Sequence, residues 1–172
     1  MVHQILYNAY APTFSKIPLV IIADNIASHL NVGSIFRIAD TFGVTEILLC
    51  EKSPTPPHKL ISRTGRGGEK HVTYRYFDET IAAINALKTE GYYILALEIT
   101  NTSTDVRQYH FPVHKKIAII VGSEEKGIAQ EVLNAVDACI HIASVGYCLS
   151  MNLATALAVA VYEAASQLRN AI

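Results

Sequence analysis

The sequence has no run of 18 apolar residues free of polar breaks, no paired cysteine pattern and little charge, and each shortage closes off a class of protein. Without such a run no membrane-spanning helix is expected. Cys50, Cys139 and Cys148 are an odd number, with no CxxC and no Cys/His cluster at metal-ligand spacing. They read as free thiols in a reducing compartment, and no metal is expected. Charged residues make up only 17% of the chain and the formal net charge is -1, so the molecule as a whole has no pull on phosphate. Repeats, low-complexity tracts and long linkers are also missing. The opening Met-Val-His-Gln-Ile-Leu-Tyr-Asn carries no basic start followed by an apolar block and a small-residue cleavage site. The expectation is a soluble cytoplasmic protein with no membrane partner.

What is present is core-forming material. Apolar residues make up 51% of 172 residues, enough for one domain spanning 1–172, and the sparse surface charge leaves room for a buried subunit contact. Charge is also uneven. Between residues 52 and 75, Lys52, Lys59, Arg63, Arg66, Lys70 and Arg75 are opposed only by Glu69, a net of +5 that leaves -6 for the rest. Any nucleic-acid surface must therefore be local, and this stretch is where it belongs.

Six short apolar or β-branched runs read as strands: Leu19 to Ala23, Glu46 to Cys50, Val72 to Phe77, Tyr92 to Ile99, Ile117 to Val121 and Cys139 to Ala143. Several are apolar at consecutive positions, as in a sheet covered on both faces. Helical spacing appears at Val32, Ile35, Phe36, Ala39 and Phe42, with Asn31 placed to cap the start and Gly43 to end it. A second helix follows Asp78 and closes at Gly91. Leu153, Ala156, Leu157, Ala160, Val161, Ala164 and Leu168 mark a long helix whose first half is apolar nearly all round, which calls for burial on more than one side. Strands alternating with helices give an α/β fold with a mainly parallel six-stranded sheet and flanking helices.

Ligands of such sheets bind at the carboxyl ends of the strands. The first strand runs into Asp24-Asn25-Ile26 rather than a GxGxxG turn, and no GxxxxGK[ST] occurs, so nucleotide phosphate binding of the common kinds is disfavoured. Three other segments stand out. Asn31-Val-Gly-Ser-Ile-Phe-Arg37 sets an amide and a guanidinium on one helix, with Arg37 between the core positions Phe36 and Ile38. Arg37 is either a snorkelling surface residue or a fixed guanidinium aimed at a phosphate or a reacting hydroxyl. Gly122-Ser-Glu124-Glu-Lys-Gly127 follows an apolar strand; it is an ordinary connection or a turn whose Gly122 admits a ligand to the backbone. Ser150-Met-Asn152 joins a small polar loop to the long helix, as a cap or as part of a binding loop.

Taken together, NxGxxxR, GSExxG and SxN before a long apolar helix resemble the SpoU (TrmH) family of RNA ribose 2'-O-methyltransferases of the SPOUT class. The resemblance runs over residues 18 to 168 and is strongest in Ser150-Met-Asn-Leu-Ala-Thr-Ala-Leu-Ala-Val-Ala-Val-Tyr-Glu163. It implies a C-terminal trefoil knot, a homodimer and S-adenosylmethionine held against backbone at Leu97, Gly122, Ile142 and Ser150. It also implies that Arg37 activates a ribose hydroxyl. A guanidinium does not readily give up its proton, which favours a stabiliser of the developing alkoxide, with a substrate phosphate taking the proton, over a general base. Asn31, Glu124, Ser150 and Asn152 would hold Arg37, the RNA and the loops in place, while Glu125 and Lys126 have no assigned role. Lys59, Arg63, Arg66 and Lys70 become the RNA contacts, with tRNA favoured over ribosomal RNA for so small a chain. The rival readings are a base-directed RNA methyltransferase and a non-catalytic RNA-binding or assembly protein.

Overall fold

The computed structural model describes residues 15–147 and 150–170, so the N-terminal segment and Cys148 lie outside the described residues. In chain order the elements are β1 (Ile17–Asp24), α1 (His29–Phe42), β2 (Val44–Cys50), α2 (Lys59–Gly65), a 3-10 turn (Gly68–Lys70), β3 (Thr73–Phe77) and α3 (Thr80–Thr89). There follow β4 (Tyr92–Leu97), β5 (Thr104–Asp105), β6 (Lys116–Val121), α4 (Gln130–Ala135), β7 (Ala138–His141) and α5 (Leu153–Asn170). One sheet runs β3-β2-β1-β6-β4-β7-β5, and every pairing in it is parallel.

The sheet has seven strands where six are expected. The extra one, β5, is two residues long and pairs Thr104 and Asp105 with Ile140 and His141. It has no apolar run to announce it. Both faces are covered, as the consecutive apolar positions require. Leu19, Ile21 and Ala23 of β1 face α1 and α5, while Val20 and Ile22 face α3 and α4. Among the described residues no helix is long and apolar enough to cross a membrane.

Asn31 is not the cap of α1. The Ser28 side chain accepts from the Asn31 N–H at 3.3 Å, so the helix begins earlier and Asn31 lies inside its first turn with its amide directed elsewhere. Gly43 ends α1 as expected, at φ 72, its N–H reaching the carbonyls of Ala39 and Asp40. The second expected helix starts one residue late, with Glu79 rather than Asp78 at its N-cap. The long helix α5 buries one stripe, including Leu157, Ala160, Val161, Ala164 and Leu168, and leaves Val159 and Tyr162 exposed.

At the end of β1, Asp24 is only 3% exposed and accepts from Thr80 Oγ1 at 2.5 Å. Burial raises its carboxyl above the usual range, against the pull of the Thr80 bond and with help from Glu51. Burial likewise pushes the Cys50 thiol up to about 12, so it is an inert core group. An acid whose folded pKa is raised favours folding while protonated and opposes it once ionised. Asp24→Asn, which keeps an acceptor for Thr80, should therefore raise the melting temperature at pH 7 and lose that advantage as pH falls toward 4. A gap that does not narrow in paired thermal melts would contradict this.

Candidate functional site

Because the strands are parallel, the loops leaving β1, β6, β4 and β7 emerge on one edge. Register pairs Ala23 with Val121, Ala96 with Ile120 and Leu97 with Ile140, which sets residues 97, 122 and 142 around one opening. There a cavity of about 750 Å3 is lined by Leu97, Gly122, Ile142 and Ser150, together with Glu98, Glu124, His141 and Asn152. Its size suits a small organic ligand.

The turn after β6 is tightly built. Ser123 and Gly127 form a bridge, Gly127 N donates to Ser123 O at 2.8 Å, and Ser123 Oγ accepts from the N–H groups of Glu125 and Lys126. The side chains of Glu125 and Lys126 project into solvent from its tip. A Cβ on Gly122 would lie 2.5 Å from Ile128 Cγ1 and 2.6 Å from the Gly127 carbonyl carbon. The turn folding back on itself therefore requires glycine at 122. Gly122 also lines the cavity, so the packing of its own turn is a second reason for glycine there, beside the expected approach of a ligand to its backbone. Gly146, by contrast, has open space where a Cβ would stand.

A chain of side-chain hydrogen bonds joins Asn152 and Glu124 of the cavity wall through Asn31. Asn152 Oδ1 accepts from the N–H groups of Ala154 and Thr155 at 3.0 and 3.2 Å and so caps α5, which leaves its Nδ2 to donate to Asn31 Oδ1 at 3.4 Å. Asn31 Nδ2 in turn donates to Glu124 Oε1 in a short hydrogen bond. Each amide orientation follows from its neighbour's. Thus Asn31, Glu124 and Asn152, from three separate motifs, meet in one network, with Ser150 exposed beside it.

Arg37 does not line this cavity. It lies in a second, more open groove of about 580 Å3, together with Arg63, Arg66, Ser34, Thr64 and Thr155. Asn152 lines both. Among the described residues none of these three arginines is in an ion pair. Lys59 and Lys70 are exposed but stand outside the groove. Arg75, part of the basic stretch, is committed elsewhere: it bonds Glu46 Oε2 at 2.8 Å and Glu90 Oε1 at 3.2 Å, so it does not belong to a free basic surface.

Arg63 and Arg66 share a groove with Arg37 because α2 lies almost on the backbone of α1. A Cβ on Gly33 would overlap Thr64 Oγ1 and come within 2.5 Å of Ile61 O, and one on Gly68 would lie 2.8 Å from Phe36 O. The glycine of NxGxxxR is thus the seat of α2. Sequence reasoning passed over this, and also over Glu98 and His141. The signal for Glu98 was its place, a charged residue directly after the apolar run of β4. His141 had no comparable signal.

The SpoU rRNA Methylase family model matches residues 18–162. A Staphylococcus saprophyticus protein named in the TrmH family of tRNA/rRNA methyltransferases is 29% identical over 148 residues, covering 86% of this chain; the chain spans only 58% of that relative's length. A solved structure described as giving insight into the 2-OH methylation of C/U34 on tRNA has a TM-score of 0.78 at 25% identity, over 88% of this chain and 97% of the other. An AdoMet-bound rRNA methyltransferase from Sinorhizobium meliloti shares the fold, with a TM-score of 0.82 at 23% identity over 92% of this chain and 59% of its own.

Proposed function

The chain belongs to the SpoU rRNA methylase family, and from that membership we propose an S-adenosylmethionine-dependent RNA methyltransferase that modifies a ribose 2'-hydroxyl of tRNA in the cytoplasm. The observation that carries this reading is a pair of adjoining cavities of opposite character. The first is lined by Glu98 and Glu124 with no lysine or arginine among the described residues, and the second by three arginines with no carboxylate. Their common wall is Asn152. A cation suits the first and a phosphate backbone the second.

The first cavity fits the cofactor in size, in its small-residue walls at Gly122, Ala143 and Gly146, and in its surplus of acceptors. When bound, S-adenosylmethionine supplies an electrophilic methyl group. Leu97, Gly122, Ile142 and Ser150 would hold it there, as the family resemblance implies. Arg63 and Arg66 clamp RNA phosphate beside Arg37. Arg37 donates N–H bonds to the 2'-oxygen as it loses its proton, which a neighbouring phosphate oxygen of the substrate accepts. Asn31 and Glu124 keep Asn152 at the boundary between the two. Support for tRNA as the substrate comes from the C/U34 structure, whose chain is matched almost from end to end.

The same reading takes the C-terminal part as a trefoil knot, which fits a chain that enters the sheet as β7 beyond β4 and then returns over β1 and β6 as α5. It also takes the protein as a homodimer. Met151, Val159 and Tyr162 are 49%, 40% and 62% exposed on and beside one face of α5, an apolar surface a second copy would cover. Light scattering at micromolar concentration should give twice the chain mass, and a monomer there would remove the dimer. The activity is tested by tritiated methyl transfer to unmodified total tRNA, run beside ribosomal RNA and followed by nucleoside digestion. Label in ribose-methylated nucleosides is expected. Label in a base would overturn the ribose assignment, and no transfer to any RNA would overturn the enzyme.

A further inference from the structure

Glu98 is the acidic side chain of the first cavity that the amide network does not use. It is half-buried and fixed at both oxygens: Oε1 accepts from Ile99 N at 3.0 Å and Oε2 from Ile128 N at 3.2 Å. Each oxygen retains a further lone pair. The Oε2 side lies so close to the turn that a Cβ on Gly127 would stand 2.7 Å from it. The two backbone N–H groups fix the carboxylate in place and bring no compensating charge.

Around it the cavity offers more acceptors. Ser103 Oγ donates its one proton to Thr100 O at 2.9 Å, so the contact of 3.0 Å to His141 Nδ1 requires that ring nitrogen to be the donor. Glu124 adds a second carboxylate, and no lysine or arginine side chain lines the cavity among the described residues.

We propose that Glu98 makes this cavity select its ligand by charge, holding the cationic sulfonium cofactor and releasing the neutral thioether product. The inference rests on the cofactor reading of the cavity. S-adenosylmethionine carries a sulfonium and an ammonium against one carboxylate, a net of about +1, and loses the sulfonium charge when the methyl leaves. An uncompensated carboxylate in the cavity wall would therefore attract the cofactor more than the product, and the surplus would vanish on transfer. The site thereby lowers its own inhibition by product.

The test is calorimetric and independent of turnover. Dissociation constants of S-adenosylmethionine, S-adenosylhomocysteine and sinefungin, which carries an amine cation in place of the sulfonium methyl, are measured for the wild type, Glu98→Gln and Glu98→Asp. Glu98→Gln should weaken the two cationic ligands by about five- to tenfold and the neutral one by less than twofold. Glu98→Asp, which keeps the charge, should preserve the wild-type ratio even if all three affinities fall. Were Glu98 only an anchor for the turn, Glu98→Gln would lower all three together, and that result, or no change in any, would overturn the proposal. Wild-type protein that binds none of the three would overturn the cofactor reading as well, whereas binding with an unaltered ratio overturns only the charge selection.

Discussion

Arg37→Ala is expected to lower methyl transfer by about 100-fold or more while leaving the affinity for S-adenosylmethionine and the melting temperature nearly unchanged. The separation of effects follows from where Arg37 stands. Its side chain is exposed in the arginine groove and does not line the first cavity, so on the proposed mechanism its loss removes donors from the reacting oxygen without opening a void in the core. Arg37→Lys should also be impaired, because a lysine keeps the charge but not the planar fork that can hold an oxygen and a phosphate at once. Turnover with saturating tRNA, beside calorimetry and a thermal melt, checks all three. Near wild-type activity in the alanine variant would make Arg37 a snorkelling surface residue and remove the mechanism.

Gly33→Val should cost nearly as much by another route. The added side chain would occupy the space of Thr64 Oγ1 and press on Ile61 O, so α2 must lift from α1 and take Arg63 and Arg66 out of the groove. Overpacking of this kind costs about 1–3 kcal/mol of stability. RNA affinity should fall by at least about tenfold, comparable to the double change Arg63→Ala with Arg66→Ala, and cofactor affinity should change little. Adding Thr64→Ala to Gly33→Ala should restore RNA binding only in part, since the Ile61 carbonyl remains in the way. Filter binding at two salt concentrations reads the outcome. Unaltered RNA affinity in Gly33→Val would mean that the seat of α2 does not set the RNA surface.

These two residues also mark what could be read without coordinates. The apolar runs at Leu19–Ala23 and Ile117–Val121 showed a sheet buried on both faces, because no half-exposed strand tolerates such continuity. Gly43 was legible as a stop because only a residue free to take φ 72 closes a helix that way. Leu97, Gly122, Ile142 and Ser150 line one cavity, yet a second reason for glycine at 122 is its own turn, a contact made five residues along. Ser28 displaced Asn31 as a cap because two side chains of similar capping ability lie three residues apart, and only the loop geometry decides between them. β5 was invisible since two residues of backbone pairing leave no hydrophobic trace. The place of Arg37 outside the first cavity depends on how α1 lies across the sheet, which periodicity along one helix does not contain.

The strand order has a further consequence for assembly during synthesis. The half built from β1, β2 and β3 closes from neighbours in sequence, with α1 and α2 already on its face. Among the described residues, however, β4 has partners only in β6 and β7, and β5 only in β7, so both edges of β4 stay open until at least residue 116 has left the ribosome. Its run Tyr92-Tyr-Ile-Leu-Ala-Leu97 is then an unpaired apolar ribbon, the kind of segment that adds to a neighbour of the same sequence. The pairings of β4 thus need the longer loop closures, and its ribbon lies exposed in the interval between the emergence of β4 and that of β6.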